Sequence, residues 1–147
     1  MATVEVTFTP LPVHVRTARL IATAVARRSG VAESLLDEVR LAVGEACSRA
    51  VEAHLRHCPG QPIRVALTND GEQFEVVVTD AVPDADHGTS GLSAGFGAGF
   101  AAVNGEAPLQ LPAGVGLAVI AGLADDVRVA SDGQGTSVTM TWKRRTA

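Results

Sequence analysis

The chain has 147 residues, 46% apolar and 19% charged, which fits one domain with its own hydrophobic core. A net charge of -4 and a pI near 5.5 argue against a dedicated nucleic-acid binder with a basic face. Cys47 and Cys58 form no C-x-x-C motif and have no zinc-like His spacing, so we expect reduced thiols and a cytoplasmic protein. We expect no signal peptide and no transmembrane segment.

The first 30 residues predict a strand followed by a helix. Residues 3–9 alternate between apolar and polar side chains, and Pro10 and Pro12 close that strand. Residues 11–28 have helical periodicity and a basic side, and Ser29-Gly30 is a typical helix end.

A longer amphipathic helix begins at residue 36 and is expected to end near residues 57–60, at C-P-G. Periodicity alone predicts a solvated polar side with i, i+4 pairs of Glu45 with Arg49 and of Glu52 with Arg56. The apolar side gathers Leu36, Val39, Val43, Ala46, Cys47, Ala50 and His54, and the polar side gathers Glu38, Glu45, Arg49, Glu52 and Arg56.

The second half predicts two hairpins separated by a glycine-rich segment and a helix. Residues 63–68 and 73–79 alternate around N-D-G-E, and residues 126–131 and 136–142 flank D-G-Q-G, with Met140 and Trp142 sealing one face. Between them, residues 88–105 contain six glycines and no charge. This segment is either a mobile lid or a disordered insertion. A buried helix follows over residues 114–123, and a glycine pair at its start can leave amide groups free for an anion.

The segment E-A-C-S-R-A-V-E-A-H at residues 45–54 resembles the N-box of the Bergerat-fold (GHKL) ATPases. It is most similar to the E-A-x-T-N-A-x-x-H form of bacterial anti-sigma-factor serine kinases. An Asp at position 80, G-V-G-L-A-V-I from residue 114 and G-T-S-V-T-M from residue 135 follow in the family's order. The resemblance implies an α/β (α+β) two-layer sandwich, with a mixed, mostly antiparallel sheet of about five strands and helices on one face. It covers residues 1–147 as a single domain with a glycine-rich lid at about 81–113.

The resemblance also implies roles for individual residues. Glu45 matches the general base that takes a proton from a serine hydroxyl of a partner protein. Asp80 matches the Asp that binds the adenine amino group, and Thr136 matches the Thr that helps to hold that Asp and a water. Gly114 and Gly116 match the glycines that face the phosphates. The implied cofactors are ATP and Mg²⁺.

The partners implied by the resemblance are proteins. Arg19, in A-R-L-I-A, matches a first-helix Arg that contacts partners, although an ordinary solvated Arg is the alternative. The family implies binding of a sigma factor and of a STAS-domain anti-anti-sigma factor, as a homodimer. We expect no direct contact with nucleic acid or membrane.

Three departures from the family pattern weaken the expectation of catalysis. Arg49 replaces the Asn that holds magnesium, and the segment after Asp80 reads A-V-P-D without the glycines of D-x-G-x-G. No Lys or Arg lies between Arg64 and Arg128, so this region offers a triphosphate no cation. We therefore expect no metal site and no bound cofactor, with ATP binding and kinase activity lost or weakened.

Arg49 leaves two hypotheses open. It either replaces the metal and contacts phosphate directly, or pairs with Glu45, lowers the pKa of that carboxyl and plugs the site. We prefer the plug, because the acidic surroundings give Arg49 a partner without any ligand. The functional alternatives to a partner-switching anti-sigma factor are an active ATP-dependent serine kinase and a binding module for an unrelated partner. The last would use the lid with Phe96 and Phe100.

Overall fold

The computed structural model describes residues 2–83 and 113–143. Every predicted strand and helix is present in the predicted order, and helix and strand ends differ by at most one residue from the prediction. Most of the predicted lid, with Phe96 and Phe100, lies outside the described residues. The elements are β1 (Ala2–Phe8), α1 (Pro12–Arg28), a short 3₁₀ helix (Glu33–Leu35), α2 (Leu36–His57), β2 (Ile63–Asn69), β3 (Gln73–Asp80), α3 (Ala113–Leu123), β4 (Asp126–Asp132) and β5 (Gly135–Lys143).

The five strands form one sheet in the order β1-β2-β3-β5-β4, and all four pairings are antiparallel. This confirms the predicted mostly antiparallel sheet. Although β3 and β5 are far apart in the chain, they are direct neighbours, and Asp80 lies opposite Thr136. The two strand ends that carry predicted site residues therefore meet at one place.

The helices cover one face of the sheet, as predicted. Because side chains alternate along a strand, every second residue of β2, β3 and β5 points towards the helices. The apolar ones among these inward side chains are all less than 3% exposed and form most of the sheet's share of the core. They are Ile63, Val65, Leu67, Phe74, Val76, Val78, Val138, Met140 and Trp142.

Helix α2 is the centre of the helical layer, because it packs against α1, α3 and the sheet. Val39, Val43 and Cys47 are completely buried. On α1, the small side chains of Ala18, Ala22 and Ala26 form the buried stripe. Small residues at this contact let the two helices approach closely.

Helix α3 is fastened to β5 by hydrogen bonds. The Nε1 atom of Trp142 donates to the carbonyl oxygen of Leu123 at 3.0 Å, which satisfies a backbone acceptor at the helix end. The N–H of Asp125 donates to the carbonyl of Thr141 at 2.9 Å. Met140 and Trp142 are both buried on the helix side, which confirms that they seal one face. Within residues 2–83 and 113–143, we find no helix with the length and apolar character needed to cross a bilayer.

Candidate functional site

The polar side of α2 is partly covered, and this corrects the prediction of a solvated stripe. Arg49 is only 6% exposed, and Glu45 is half-buried. A Cβ atom placed on Gly116 would lie 3.1 Å from Oε2 of Glu45, so the carboxylate lies directly against α3. The prediction fails because helical periodicity cannot reveal a second helix packed on the polar side. The predicted pair of Glu52 and Arg56 is present at 2.6 Å.

Burial raises the pKa of the Glu45 carboxyl above its ordinary value, and the negative charge of Glu52 raises it further. The plug hypothesis expects the opposite direction, because a pair with Arg49 would lower the pKa of Glu45. A carboxylate with a raised pKa is the stronger base once it is ionised. A raised pKa is therefore compatible with the general-base role that the resemblance implies for Glu45.

Arg49 stands at the sequence position that the resemblance gives to the metal-holding Asn, and its Nε atom is shielded from solvent. A guanidinium has only N–H donors and no lone pair for a cation, so this side chain cannot ligate magnesium. Among the described residues, no group of three or more His, Cys, Asp or Glu side chains is arranged to hold a metal ion. Any phosphate contact here would come from the guanidinium itself.

Asp80 and Thr136 are buried neighbours on β3 and β5, exposed by 5% and 1%. Both side chains bind the same backbone segment. Oδ1 of Asp80 accepts a hydrogen bond from the N–H of Val82 at 2.8 Å, and Oγ1 of Thr136 donates to the carbonyl of Val82 at 2.7 Å. The structure therefore brings these two predicted site residues together, and both bind the backbone of Val82.

His54 is a site residue that the sequence assigned only to an apolar helix face. It is completely buried. Its Nε2 atom accepts the N–H of Ala81 at 2.9 Å, and its Nδ1 atom lies 2.9 Å from the carbonyl oxygen of Gln61. Because Nε2 must be unprotonated to accept, Nδ1 carries the proton and donates to Gln61. The sequence signal was a His in the last turn of an apolar stripe, just before C-P-G.

Gly135 allows the backbones of β3 and β5 to meet closely. A Cβ atom at this position would collide with the carbonyl oxygen of Asp80 and would lie 3.3 Å from Cα of Ala81. Any side chain at position 135 would therefore displace the segment that starts at Asp80.

Arg19 is a residue of α1, and its side chain lies against α2. Its side chain passes over Gly44, where an added Cβ would be 2.6 Å from Cδ of Arg19. The Arg19 charge partly offsets the burial that raises the pKa of the Cys47 thiol to about 12. Arg19 is half-buried and so has a packing role besides any contact with a partner.

A groove of about 520 Å³ lies at the same end of the sheet, mainly over the face opposite the helices. The cross-strand row Thr7, Arg64, Thr79 and Ser137 contributes to its floor. Glu45 and Arg49 are not among its lining residues. This groove is therefore separate from the polar side of α2 that carries the predicted catalytic residue.

The described residues do not fit the magnesium-bound ATP that the resemblance implies. Arg49 has no atom that can hold the metal, and Val82 uses a carboxylate oxygen of Asp80 and the hydroxyl of Thr136. Gly114 and Gly116 do lie in the first turn of α3, and the Glu45 carboxylate is the group beside Gly116.

Comparison with solved structures supports the fold. The RsbU and RsbW domains of Rv1364c from Mycobacterium tuberculosis align with 100% of this chain and 34% of that chain, with a TM-score of 0.66 and 20% identity. This chain thus spans about a third of that protein chain. The SiaB-SiaC complex from Pseudomonas aeruginosa aligns with 94% of this chain and 89% of that chain, with a TM-score of 0.60 and 14% identity. Among curated protein sequences, none matches.

Comparison with protein families gives a match over nearly the whole chain. The family described as the histidine kinase-like ATPase domain matches residues 8–142. This range includes the Glu45 helix, the Asp80 strand end, the start of α3 and the strand with Thr136. The chain therefore belongs to the histidine kinase-like ATPase domain family.

Proposed function

We propose that the chain is a cytoplasmic partner-switching anti-sigma factor that binds a sigma factor and, alternatively, a STAS-domain antagonist, as a homodimer. Family membership, the E-A-C-S-R-A segment and the structural likeness to a chain with an RsbW domain support this proposal. The observation that carries the loss or weakening of kinase activity is Arg49, which replaces the metal-holding amide with a buried guanidinium. Switching then depends on competition between protein surfaces.

The outer side of α1 is a suitable surface for such partners. Val13 and Leu20 lie two turns apart and are 66% and 59% exposed. Arg16 and Arg27 are exposed on the same helix. Exposed apolar side chains beside basic ones suit a protein partner with an acidic, partly apolar surface. Arg19 belongs to the same helix, which is consistent with its proposed partner contact.

A second candidate function, an active serine kinase of the same family, is favoured by Glu45. Its raised pKa and its place beside Gly116 suit a base that receives a proton near a phosphate-facing glycine. Arg49 would then supply the positive charge that a metal supplies elsewhere.

The direct test mixes the purified protein with candidate STAS-domain antagonists and magnesium ATP. We expect stable complexes with an antagonist and with a sigma factor, and no phosphate transfer to the antagonist. Phosphate transfer at ordinary kinase rates of about 1 s⁻¹ or more would reject the inactive form and support the kinase. The control is Glu45→Gln, which abolishes transfer by a kinase but leaves complex formation unchanged.

Exchange of Arg49 for Asn distinguishes the roles of the guanidinium. If Arg49 fills the site, Arg49→Asn raises the affinity for magnesium ATP in a calorimetric titration. If the guanidinium is the phosphate clamp, the same exchange lowers affinity and activity. Titrations with and without magnesium distinguish two causes of a higher affinity. Restored metal binding raises the affinity only with magnesium, whereas removal of the guanidinium from the site raises it in both titrations.

A further inference from the structure

Three side chains from three different elements hold two consecutive residues of the chain. His54 of α2 binds the N–H of Ala81, Asp80 of β3 binds the N–H of Val82, and Thr136 of β5 binds the carbonyl of Val82. All three side chains are at most 5% exposed. Buried hydrogen bonds of this kind are costly to lose, because no water replaces the missing partner. We call this arrangement the Ala81–Val82 clamp.

The backbone N–H and C=O of Val82 present the chemistry of the ligand that the family would bind there. The amino group of adenine is a hydrogen-bond donor, as is the N–H of Val82, which Asp80 accepts at 2.8 Å. Beside it, the Val82 carbonyl is an acceptor and receives the Thr136 hydroxyl at 2.7 Å. Val82 stands where the pattern D-x-G-x-G has its first glycine, and its side chain is 1% exposed. Val82 thus supplies a hydrogen-bond donor, an acceptor and a buried apolar side chain at the place of the base.

We propose that Val82 is an internal substitute for the purine base, and that His54 is the positioning residue that holds it in place. A base can take the place of the Val82 groups on Asp80 and Thr136 only after the 81–82 segment leaves. The free energy that holds the clamp closed therefore lowers the affinity for such a base. This inference rests on the proposed function, in which the chain works without nucleotide. It adds a physical cause for the lost or weakened nucleotide binding.

His54 has this role because of its place in the fold. In the pattern E-A-x-T-N-A-x-x-H, the His follows the Asn by four residues, whereas His54 follows Arg49 by five. This extra residue rotates the side chain by about 100° around the helix axis, to the buried side that faces Ala81. Both ring nitrogens are used, one as donor and one as acceptor.

Hydrogen exchange tests the clamp in the unaltered protein. We expect the amides of Ala81 and Val82 to exchange at least about 100-fold more slowly than unprotected amides, like those of β3. Exchange at the rate of a free loop would overturn the proposal. Titration with adenosine, which has no phosphates, should leave the amide signals of Asp80, Ala81 and Val82 unmoved up to millimolar concentrations.

Variants then release the clamp. We expect His54→Leu combined with Val82→Gly to bind adenosine and ATP at least about tenfold more tightly than the unaltered protein. The Leu lacks both bonding atoms, and the Gly gives the segment freedom to move. His54→Gln is the matched control, because Gln carries one donor and one acceptor and should keep the clamp closed. Folding of each variant is checked by circular dichroism.

Equal nucleotide affinity of the unaltered protein and a folded double variant would overturn the proposal. If the double variant fails to fold, the exchange measurement decides alone. Complex formation with a sigma factor or STAS-domain protein is measured on the same samples. If nucleotide affinity contradicts the clamp but the complex still forms, only the clamp proposal fails. If the complex does not form, only the proposed function fails.

Discussion

The Glu45 carboxyl gives the fold a pH dependence whose sign follows from its surroundings. Its pKa is raised from 4.5 in the folded chain, so folding favours the protonated form. Stability from this group is fully present below its ordinary pKa and is lost as the pH rises through the raised value. Ionised Glu45 therefore makes the fold less stable at pH 7 than a neutral side chain would.

We expect Glu45→Gln to raise the thermal midpoint at pH 7 by roughly 1–2 °C, a small effect because the carboxylate is partly exposed. The difference should shrink towards zero below the ordinary pKa of Glu. Calorimetric scans of both proteins between acidic and neutral pH measure it. A variant that is less stable at pH 7 than the parent would show that the carboxylate makes a favourable contact in its ionised form.

The fold has no space for a side chain at Gly135. Gly135→Ala should lower the free energy of unfolding by about 3 kcal/mol, because its Cβ meets the Asp80 carbonyl, and a backbone atom cannot rotate away. Urea denaturation gives the difference. Gly133→Ala is the matched control in the same turn, since a Cβ there meets nothing within 4 Å. Equal effects of the two exchanges would contradict the close contact.

At the scale of elements, the sequence predicted the strands and helices well, since each has a clear local period. β2, β3 and β5 alternate strictly, and C-P-G and N-D-G-E mark chain reversals. The site was harder to predict. Whether Glu45 faces solvent depends on where α3 packs, and whether His54 only fills the apolar core depends on Ala81, 27 residues away in the chain. Neither contact leaves a local pattern.

Trp142 joins two elements, β5 and the end of α3. We expect Trp142→Phe to lower the free energy of unfolding by about 2 kcal/mol, because the indole bond to the Leu123 carbonyl is lost and part of the ring volume is removed. Circular dichroism with urea follows unfolding without the tryptophan signal. Met140→Leu, a change of similar volume in the same buried row, should cost less than about 1 kcal/mol. A neutral Trp142→Phe would mean that water satisfies the carbonyl.

At the scale of the whole molecule, the two cysteine thiols differ in how deeply they are buried. Cys47 is completely buried, and burial raises its pKa to about 12. Cys58 is half-buried, and its pKa is raised less strongly, by burial and by the charge of Asp80. Since the thiolate is the reactive form, iodoacetamide at pH 8 should modify Cys58 alone, and more slowly than a free thiol.

Mass spectrometry of the intact protein measures this as one added group under native conditions and two in denaturing urea. If Cys47 were modified as fast as Cys58, this would contradict the burial of the Cys47 thiol. Because Cys47 lies at the centre of the helical layer, its slow labelling also reports how often the whole fold opens.

The direct pairing of β3 with β5 has a consequence for how this chain can vary. Asp80 and Thr136 are partners across two adjacent strands, although α3 and β4 lie between them in the chain. The register of β3 against β5 is set by residues 73–80 and 135–143, so residues added or deleted within 84–112 would leave this pairing in place. The chain can thus gain or lose residues in this stretch during evolution while its β-sheet stays the same.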